Sequence, residues 1–247
     1  MRKITLLLVT ILLAFSLNAQ HNFGISVGGT SSIMDVKNSF FDDSRIIATQ
    51  NYNIGILYSK DINKNIAFQT DLRYVQKGFI QRFGEIRIDT TLSMNISLNY
   101  LELPLRLNSK IALKKINLLF GMGGYFSLGI FGEIEGIRNY SDGNDNYQTT
   151  SIWSKNKEIY NNISPTDPKM FVHESGYVGL SRLDYGILSS IGIEFNKLRL
   201  VFDYAYGLKN IQIETSQGSM FNHKVYNLTL NYIFNFSGKG KKSVEKS

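Results

Sequence analysis

The sequence predicts an all-β fold, an eight-stranded antiparallel up-and-down transmembrane β-barrel. Three observations lead to this prediction. Apolar and polar residues alternate along eight segments, short and long connections alternate between those segments, and the N-terminus has the pattern of a secretion signal. Alternation with a period of two gives each strand one apolar and one polar face. A membrane barrel turns the apolar face to lipid and the polar face to its lumen.

The N-terminus begins with a basic stretch, Met1-Arg2-Lys3, which is followed by an apolar run from Ile4 to Leu17 and then by Asn18-Ala19-Gln20. This order of features is typical of a secretory signal peptide. We expect residues 1–19 to form that peptide, with cleavage after Ala19. A membrane-anchoring helix is the alternative, but it needs about 20 apolar residues and this run is shorter.

The predicted barrel domain, 20–236, contains the eight segments. They are 22–32, 51–60, 65–80, 97–109, 115–130, 182–195, 198–209 and 224–236. The alternation is clearest in the last segment, where every even-numbered residue from Tyr226 to Phe236 is large and apolar. The odd-numbered residues between them, apart from Ile233, are Asn or Thr. The first segment, with Phe23, Ile25 and Val27, has the weakest pattern.

The connections between the segments alternate in length. The short ones are 61–64, 110–114 and 196–197, and the long ones are about 34–50, 82–95, 131–181 and 210–223. Outer-membrane barrels have short periplasmic turns and long extracellular loops. We therefore expect the outer membrane of a Gram-negative bacterium, with both chain termini in the periplasm and the long loop 131–181 outside the cell.

A soluble up-and-down barrel with an apolar, ligand-binding interior is the alternative fold. Its polar face would meet water and should be rich in Lys and Glu. Here the polar faces instead contain Asn, Ser and Gly, with a small balanced set of Asp, Glu and Arg. This composition favours the membrane barrel.

The composition excludes several function classes. The chain has no cysteine, which excludes disulfides, thiol catalysis and Cys-based zinc sites. Its formal net charge is +7, but Arg2 and Lys3 belong to the predicted signal, and the tail 237–247 contains four lysines and one glutamate. The remainder is close to balanced, so we expect no nucleic-acid partner. We expect the tail to be a basic periplasmic segment, either solvated or in contact with anionic headgroups or a protein partner.

The sequence predicts no catalytic, cofactor-binding or metal-binding residues. Its three histidines, His21, His173 and His223, lie in different segments without metal-ligand spacing. His173-Glu174-Ser175 contains the residue types of a Ser/His hydrolase, and some eight-stranded outer-membrane barrels are lipid esterases. A nucleophile and its base need a rigid scaffold, however, and this triplet lies in a predicted loop.

Charged residues on the predicted polar faces form one constellation. They are Arg73, Glu102, Arg106, Asp184, Arg199 and Asp203. They could bind a substrate, but an eight-stranded barrel is just wide enough to be filled by side chains, so we expect them to pair with one another. Gly121 and Gly123 would leave room for a long arginine. Pro104 lies within a predicted strand, where we expect a bulge or a bend.

The long loop 131–181 contains aromatic residues among Asn, Ser, Asp and Lys. The aromatics are Tyr140, Tyr147, Trp153, Tyr160, Phe171 and Tyr177. Such a composition suits protein recognition, because aromatic side chains are enriched in interfaces. The alternative is a loop that folds over the mouth of the barrel without binding a partner.

Two segments resemble the PorT-like outer-membrane β-barrel family. One is Tyr100-Leu101-Glu102-Leu103-Pro104-Leu105 with the later Gly121-Met122-Gly123-Gly124, and the other is the strand from Asp184 to Glu194. The similarity extends from about Phe23 to Phe236 and implies an eight-stranded barrel in a Gram-negative outer membrane. Some relatives are associated with protein secretion. The residues after Phe236 and the length of loop 131–181 depart from that family's pattern.

These observations together predict a non-enzymatic outer-membrane barrel with a structural or interaction role. The resemblance to the PorT-like family implies that this role could be accessory to protein secretion. A small channel or carrier for a hydrophobic solute is the main alternative, and a lipid-modifying outer-membrane enzyme is the third. We expect outer-membrane lipid around the barrel, no cofactor, and any protein partner at loop 131–181 or at the basic tail.

Overall fold

The computed structural model describes residues 21–37, 45–87, 90–140, 143–149, 153, 180–211 and 220–235. Nine strands of this part form one sheet in which all neighbours are antiparallel. The strands are β1 (His21–Lys37), β2 (Arg45–Asp61), β3 (Ile66–Arg87), β4 (Thr90–Leu113), β5 (Ile116–Tyr140), β6 (Gly143–Thr149), β7 (Leu183–Phe195), β8 (Leu198–Gly207) and β9 (Met220–Asn235). Among these residues, no helix is both long and apolar enough to span a membrane. The predicted signal and tail lie outside the described residues.

Eight of the strands close into a ring in the order β1, β2, β3, β4, β5, β7, β8, β9. The ring closes between the first and last strands, where Asn22 pairs with Asn235 and Lys37 with Met220. The predicted eight-stranded antiparallel barrel is therefore confirmed. Closure pairs the backbone groups of each strand with both neighbours, which a strand needs where no water can bind them.

The outward-facing side chains form an apolar belt around the ring, on the faces that the alternation predicts. Exposed members of the belt include Ile25, Val27, Ile54, Ile56, Leu72, Leu103, Met122, Ile187, Leu200 and Leu228. Aromatic pairs border the belt. Phe23 lies near Tyr58 at the end of the barrel where β1 begins, and Tyr204 lies near Tyr226 at the opposite end. An apolar band between aromatic girdles is typical of outer-membrane barrels.

Tight turns close the end of the barrel at which β1 begins and β9 ends. Lys114 (φ 48°) and Asn196 (φ 53°) take the left-handed conformation at the start of the β4–β5 and β7–β8 turns. Two-residue hairpins require such mirror-image turns, and Asn adopts positive φ more readily than most residues. The predicted turn at 196–197 is confirmed, whereas the predicted connection 110–114 is shorter, because β4 continues to Leu113.

At the opposite end, three strands extend far beyond the apolar belt. β4 has 24 residues and β5 has 25, whereas about 9–11 residues suffice to span a bilayer. The predicted connection 82–95 is therefore mostly strand, since β3 continues to Arg87 and β4 begins at Thr90. The predicted loop 131–181 likewise begins with a β-hairpin of β5 and β6, which pair from Ile134–Thr149 to Tyr140–Gly143.

Pro104 interrupts a ladder without changing its register. It pairs with Tyr125 of β5 in the register of its neighbours. On the side of β3, residues 103 and 104 have no paired residue, and the pairing continues in the same register on both sides of this gap. Of the predicted bulge or bend at Pro104, the bulge is therefore wrong. The absent N–H opens the hydrogen-bond ladder locally instead. The register shift between β4 and β5 lies at Asn99 and Tyr100.

Candidate functional site

The candidate site is the interior of the barrel, where all six predicted charged residues are buried. The cluster is larger than the sequence predicts, because Asp71, Lys77, Glu194 and His223 join it. Lys77 continues the inward parity of Arg73 along β3. His223 lies just before the predicted start of the last strand and continues that strand's inward parity. Both residues can therefore be found from the sequence, because they continue the series of odd-numbered, inward-facing positions on their strands.

The middle of the lumen is crossed by ion pairs between β8 and the strands β3 and β4. Arg73 Nε donates to Glu102 Oε1 at 2.9 Å, and Arg73 Nη1 donates to Asp203 Oδ2 at 3.3 Å. Arg106 Nη1 donates to Asp203 Oδ1 at 2.8 Å, and Arg106 also pairs with Asp71. Each of these side chains is 1–3% exposed, so the network is shielded from water.

The lumen near the tight turns is filled by a second group centred on Arg199. Its Nε donates to Glu194 Oε2 at 2.9 Å, and its Nη1 donates to Gln69 Oε1 at 2.5 Å. Asn108 donates to the same Gln69 oxygen at 3.0 Å. The guanidinium thus connects β8 with β7 and β3, and it fills this level of the lumen.

The upper end of the network, toward the long strands, is centred on Lys77. Its Nζ lies 2.8 Å from Glu102 Oε2 and 3.0 Å from Asp184 Oδ2. It also lies 4.6 Å from the ring centre of Tyr125, whose hydroxyl donates to Asp184 Oδ2 at 3.2 Å. His223 Nδ1 lies 3.2 Å from the same carboxylate oxygen. Asp184 is therefore the meeting point of an ammonium, a phenol and an imidazole.

The wall formed by β1, β2 and β9 carries small polar side chains at the middle level of the lumen. Thr30 Oγ1 donates to Asn227 Oδ1 at 2.8 Å, and Asn53 Nδ2 donates to Thr30 Oγ1 at 3.0 Å. Small polar side chains on this wall match the long charged side chains on the other wall, which reach across the lumen. The two walls together fill the cross-section, as the width of an eight-stranded barrel allows.

Gly121 and Gly123 do not serve the purpose that the sequence suggests. A Cβ on Gly121 would lie 2.2 Å from Ser190 Oγ and 2.3 Å from Asn108 Oδ1. A Cβ on Gly123 would lie 1.8 Å from the carbonyl oxygen of Leu105. The prediction that these glycines make room for an arginine is therefore wrong, since small polar side chains and the backbone of β4 occupy that space.

Beyond the charged network, the interior becomes apolar. This inner apolar cluster consists of Met34, Val75, Phe79, Met94, Ile96, Leu98, Tyr100, Ile134, Leu180, Ile211 and Phe221. On β4 the residues facing out at these levels are polar or small, including Ser97 and Asn99, and they are half-buried. The alternation thus reverses above the belt. The prediction of apolar-out and polar-in holds in the membrane-spanning section only.

The two histidines of the described part of the chain, His21 and His223, lie far apart. His21 Nδ1 lies 2.9 Å from Tyr58 Oη near the tight-turn end, while His223 is buried at the other end of the lumen. Within the described residues, no group of three or more His, Cys, Asp and Glu side chains is arranged to hold a metal ion. His173 and Ser175 lie outside the described residues, so the esterase-like triplet remains a sequence observation.

Comparison with known proteins assigns the family. A sequence profile described as outer membrane protein beta-barrel domain matches residues 16–212. The chain belongs to this family. Its members are outer-membrane β-barrels, in agreement with the ring of strands, the apolar belt and the aromatic girdles described above. No curated protein matches the chain.

The solved structures to which the chain is similar are distant in sequence. OprG from Pseudomonas aeruginosa is 10% identical, with a TM-score of 0.44 and coverage of 88% of this chain and 95% of that one. Ail, the attachment invasion locus protein of Yersinia pestis, is 11% identical, with a TM-score of 0.35 and coverage of 87% and 99%. Neisserial surface protein A is 10% identical, with a TM-score of 0.37 and coverage of 87% and 97%.

Proposed function

We propose that this outer-membrane barrel is a non-enzymatic, non-conducting component with a structural or interaction role. The observation that carries the proposal is the filled interior, in which paired charges occupy the membrane-spanning section and apolar side chains occupy the section above it. Removing one partner of a buried ion pair costs about 3–5 kcal/mol. Opening a continuous path through several such pairs is therefore strongly unfavourable.

The extended strands are the part of the molecule that suits an interaction role. β3, β4 and β5 continue beyond the apolar belt, and β6 adds a further strand to β5. The outward side chains of β4 at these levels are polar or small, as a surface in water requires. With the predicted topology this sheet projects from the cell, and we place the partner-binding surface there or on the remainder of loop 131–181.

The resemblance to the PorT-like family supports a narrower form of this role, as an accessory of protein secretion. In that form the projecting sheet or the basic tail, 237–247, would contact a component of the secretion apparatus. Crosslinking in intact outer membranes, followed by affinity purification through a tag on this chain, tests it. A partner captured by the wild-type chain, but not by a chain without β6 and the hairpin turn, would support it.

A conductance measurement tests the closed lumen. Purified wild-type protein in planar bilayers should show little or no steady current, because side chains fill the lumen. Arg73→Ala combined with Asp203→Ala should increase the current, since both side chains cross the middle of the lumen. The matched control, Leu72→Ala combined with Leu101→Ala, changes the belt alone and should behave as the wild type. Large, stable steps from the wild type would refute the closed lumen.

The inner apolar cluster favours a second candidate, a carrier for a hydrophobic solute. Soluble barrels with apolar interiors hold such ligands, and the section above the belt has an interior of that kind. Uptake of a hydrophobic dye into vesicles that contain the protein distinguishes the two candidates. The scaffold role predicts the same uptake as in protein-free vesicles, whereas a carrier would increase it in proportion to the amount of protein.

A further inference from the structure

The indole ring of Trp153 lies in a recess of the barrel wall that exists because residue 129 is glycine. A Cβ at Gly129 would lie 2.6 Å from Trp153 Cη2 and 2.7 Å from Cζ2. Any other amino acid at this position would overlap the ring. Gly129 pairs with Tyr100 across β5 and β4, so the recess faces the interior of the barrel. The absence of a side chain at Gly129 therefore leaves space in the wall for a flat aromatic ring.

Two further side chains complete this ring recess. Tyr100 meets the indole edge to face, with ring centres 5.6 Å apart and planes at 80°. The guanidinium carbon of Arg182 lies 6.0 Å from the ring centre, within the range of a cation–π contact. The Gly129 N–H donates to the Arg182 carbonyl at 2.6 Å, and Arg182 Nη1 donates to the Gly129 carbonyl at 3.4 Å. These bonds hold the recess together independently of Trp153.

Trp153 is an imperfect occupant of the recess. Its Nε1 and the hydroxyl oxygen of Tyr100 are both buried, and neither has a hydrogen-bond partner among the described residues. A buried donor without an acceptor is costly, and a ring without an N–H would avoid that cost. Arg182 is exposed at the rim, where its charge favours an anionic group on the occupant. The chemistry of the recess therefore suits a small planar aromatic ring that bears a carboxylate.

We propose that the ring recess formed by Gly129, Tyr100 and Arg182 is a binding site for small aromatic carboxylates, and that Trp153 is an internal competitor for it. Free ligand and the indole ring occupy the same space, so binding displaces Trp153. The apparent affinity of the wild type is then reduced by the fraction of time that Trp153 occupies the recess. This site does not depend on whether the lumen conducts ions.

The experiment uses the sole tryptophan of the chain as its reporter. Full-length protein in lipid nanodiscs is titrated with para-methylbenzoate while the tryptophan emission is recorded. We expect a saturable shift of Trp153 emission to longer wavelength, because the displaced indole enters a more polar environment. The ring-saturated analogue, para-methylcyclohexanecarboxylate, has the same charge and similar size, and it should produce no shift.

Variants separate the recess from its occupant. Trp153→Ala should bind para-methylbenzoate about tenfold more tightly by calorimetry if the wild-type recess is free about a tenth of the time. Gly129→Ala should shift the emission without ligand and abolish the response. Gly29→Ala is the matched control, since a Cβ there meets no atom of the described residues within 4 Å, and it should behave as the wild type.

Two results would overturn the proposal. Equal affinity of Trp153→Ala for the aromatic and the saturated carboxylate would show that the recess does not select a ring. Unchanged wild-type emission at concentrations that saturate Trp153→Ala would show that Trp153 is a permanent plug rather than a competitor. The calorimetry on Trp153→Ala decides the first question even where Gly129→Ala fails to fold.

Discussion

Replacing Glu102 by glutamine tests whether the lumen network stabilises the barrel. Glu102 is 2% exposed and holds three groups: Arg73 Nε at 2.9 Å, Lys77 Nζ at 2.8 Å and Ser127 Oγ at 2.8 Å. Glutamine has nearly the same shape, but it removes the negative charge between two cations. It also turns an NH₂ group toward one of these donors.

The structure sets the expected magnitude. Removing one partner of a buried pair costs about 3–5 kcal/mol. Both cations keep a second carboxylate, since Arg73 still contacts Asp203 and Lys77 still contacts Asp184. We therefore expect the lower end of that range, about 3 kcal/mol in the free energy of unfolding. That value corresponds to roughly a 150-fold smaller folding equilibrium constant.

The assay is reversible urea unfolding in lipid vesicles, followed by tryptophan fluorescence. Glu133→Gln is the matched control, because Glu133 is half-buried on the outward face of β5 beyond the belt, where such changes cost at most about 0.5 kcal/mol. Adding Lys77→Met to Glu102→Gln should lower the stability further, because Asp184 then loses its ammonium partner. Equal stability of Glu102→Gln and Glu133→Gln would refute the reasoning.

Two further predictions concern the membrane. A fluorophore on a cysteine introduced at Leu228 should be quenched by lipid-borne quenchers. Labels at Asn227, inside the lumen, and at Asn95, on the outward face of β4 above the belt, should not be quenched. Quenching at Asn95 would contradict the reversal of polarity. Protease added to intact cells should cleave a tag inserted next to Asn144 but not a tag at Ser247, because the long connections are predicted to be extracellular and the termini periplasmic. Equal protection of both tags would contradict that orientation.

The sequence predicts the membrane-spanning section well because lipid imposes one rule there. Leu103 and Leu228 face out, and Arg106 and Asn227 face in, as parity requires. It predicts the cluster of buried charges for the same reason, since those charges have only the lumen to occupy. The pairing of Arg73 with Glu102 and Asp203 depends on how strands distant in sequence lie across the ring, and alternation carries no information about that.

The section above the belt is harder to predict, because apolar side chains face inward there, whereas they face outward in the belt. Met94, Ile96 and Leu98 lie on even positions of β4, whereas the belt leucines of that strand lie on odd positions. The two patterns meet at the adjacent apolar residues Tyr100 and Leu101. Two consecutive apolar residues within an alternating strand are the sequence signal of such a change. The predicted strand extends past this point only to residue 97, whereas β4 begins at Thr90.

The reversal of polarity along β4 also determines the depth at which the barrel sits in the bilayer. Moving the strand by two residues, about 7 Å, preserves which residues face outward. It would, however, bring the outward Asn99 to the level of Leu101 in the hydrocarbon, where each amide hydrogen without an acceptor costs about 1–3 kcal/mol. A barrel with the same apolar belt pattern throughout its strands could slide along the membrane normal at little cost. This chain has a single preferred immersion depth, so whatever binds to the extended strands meets them at a constant height above the membrane.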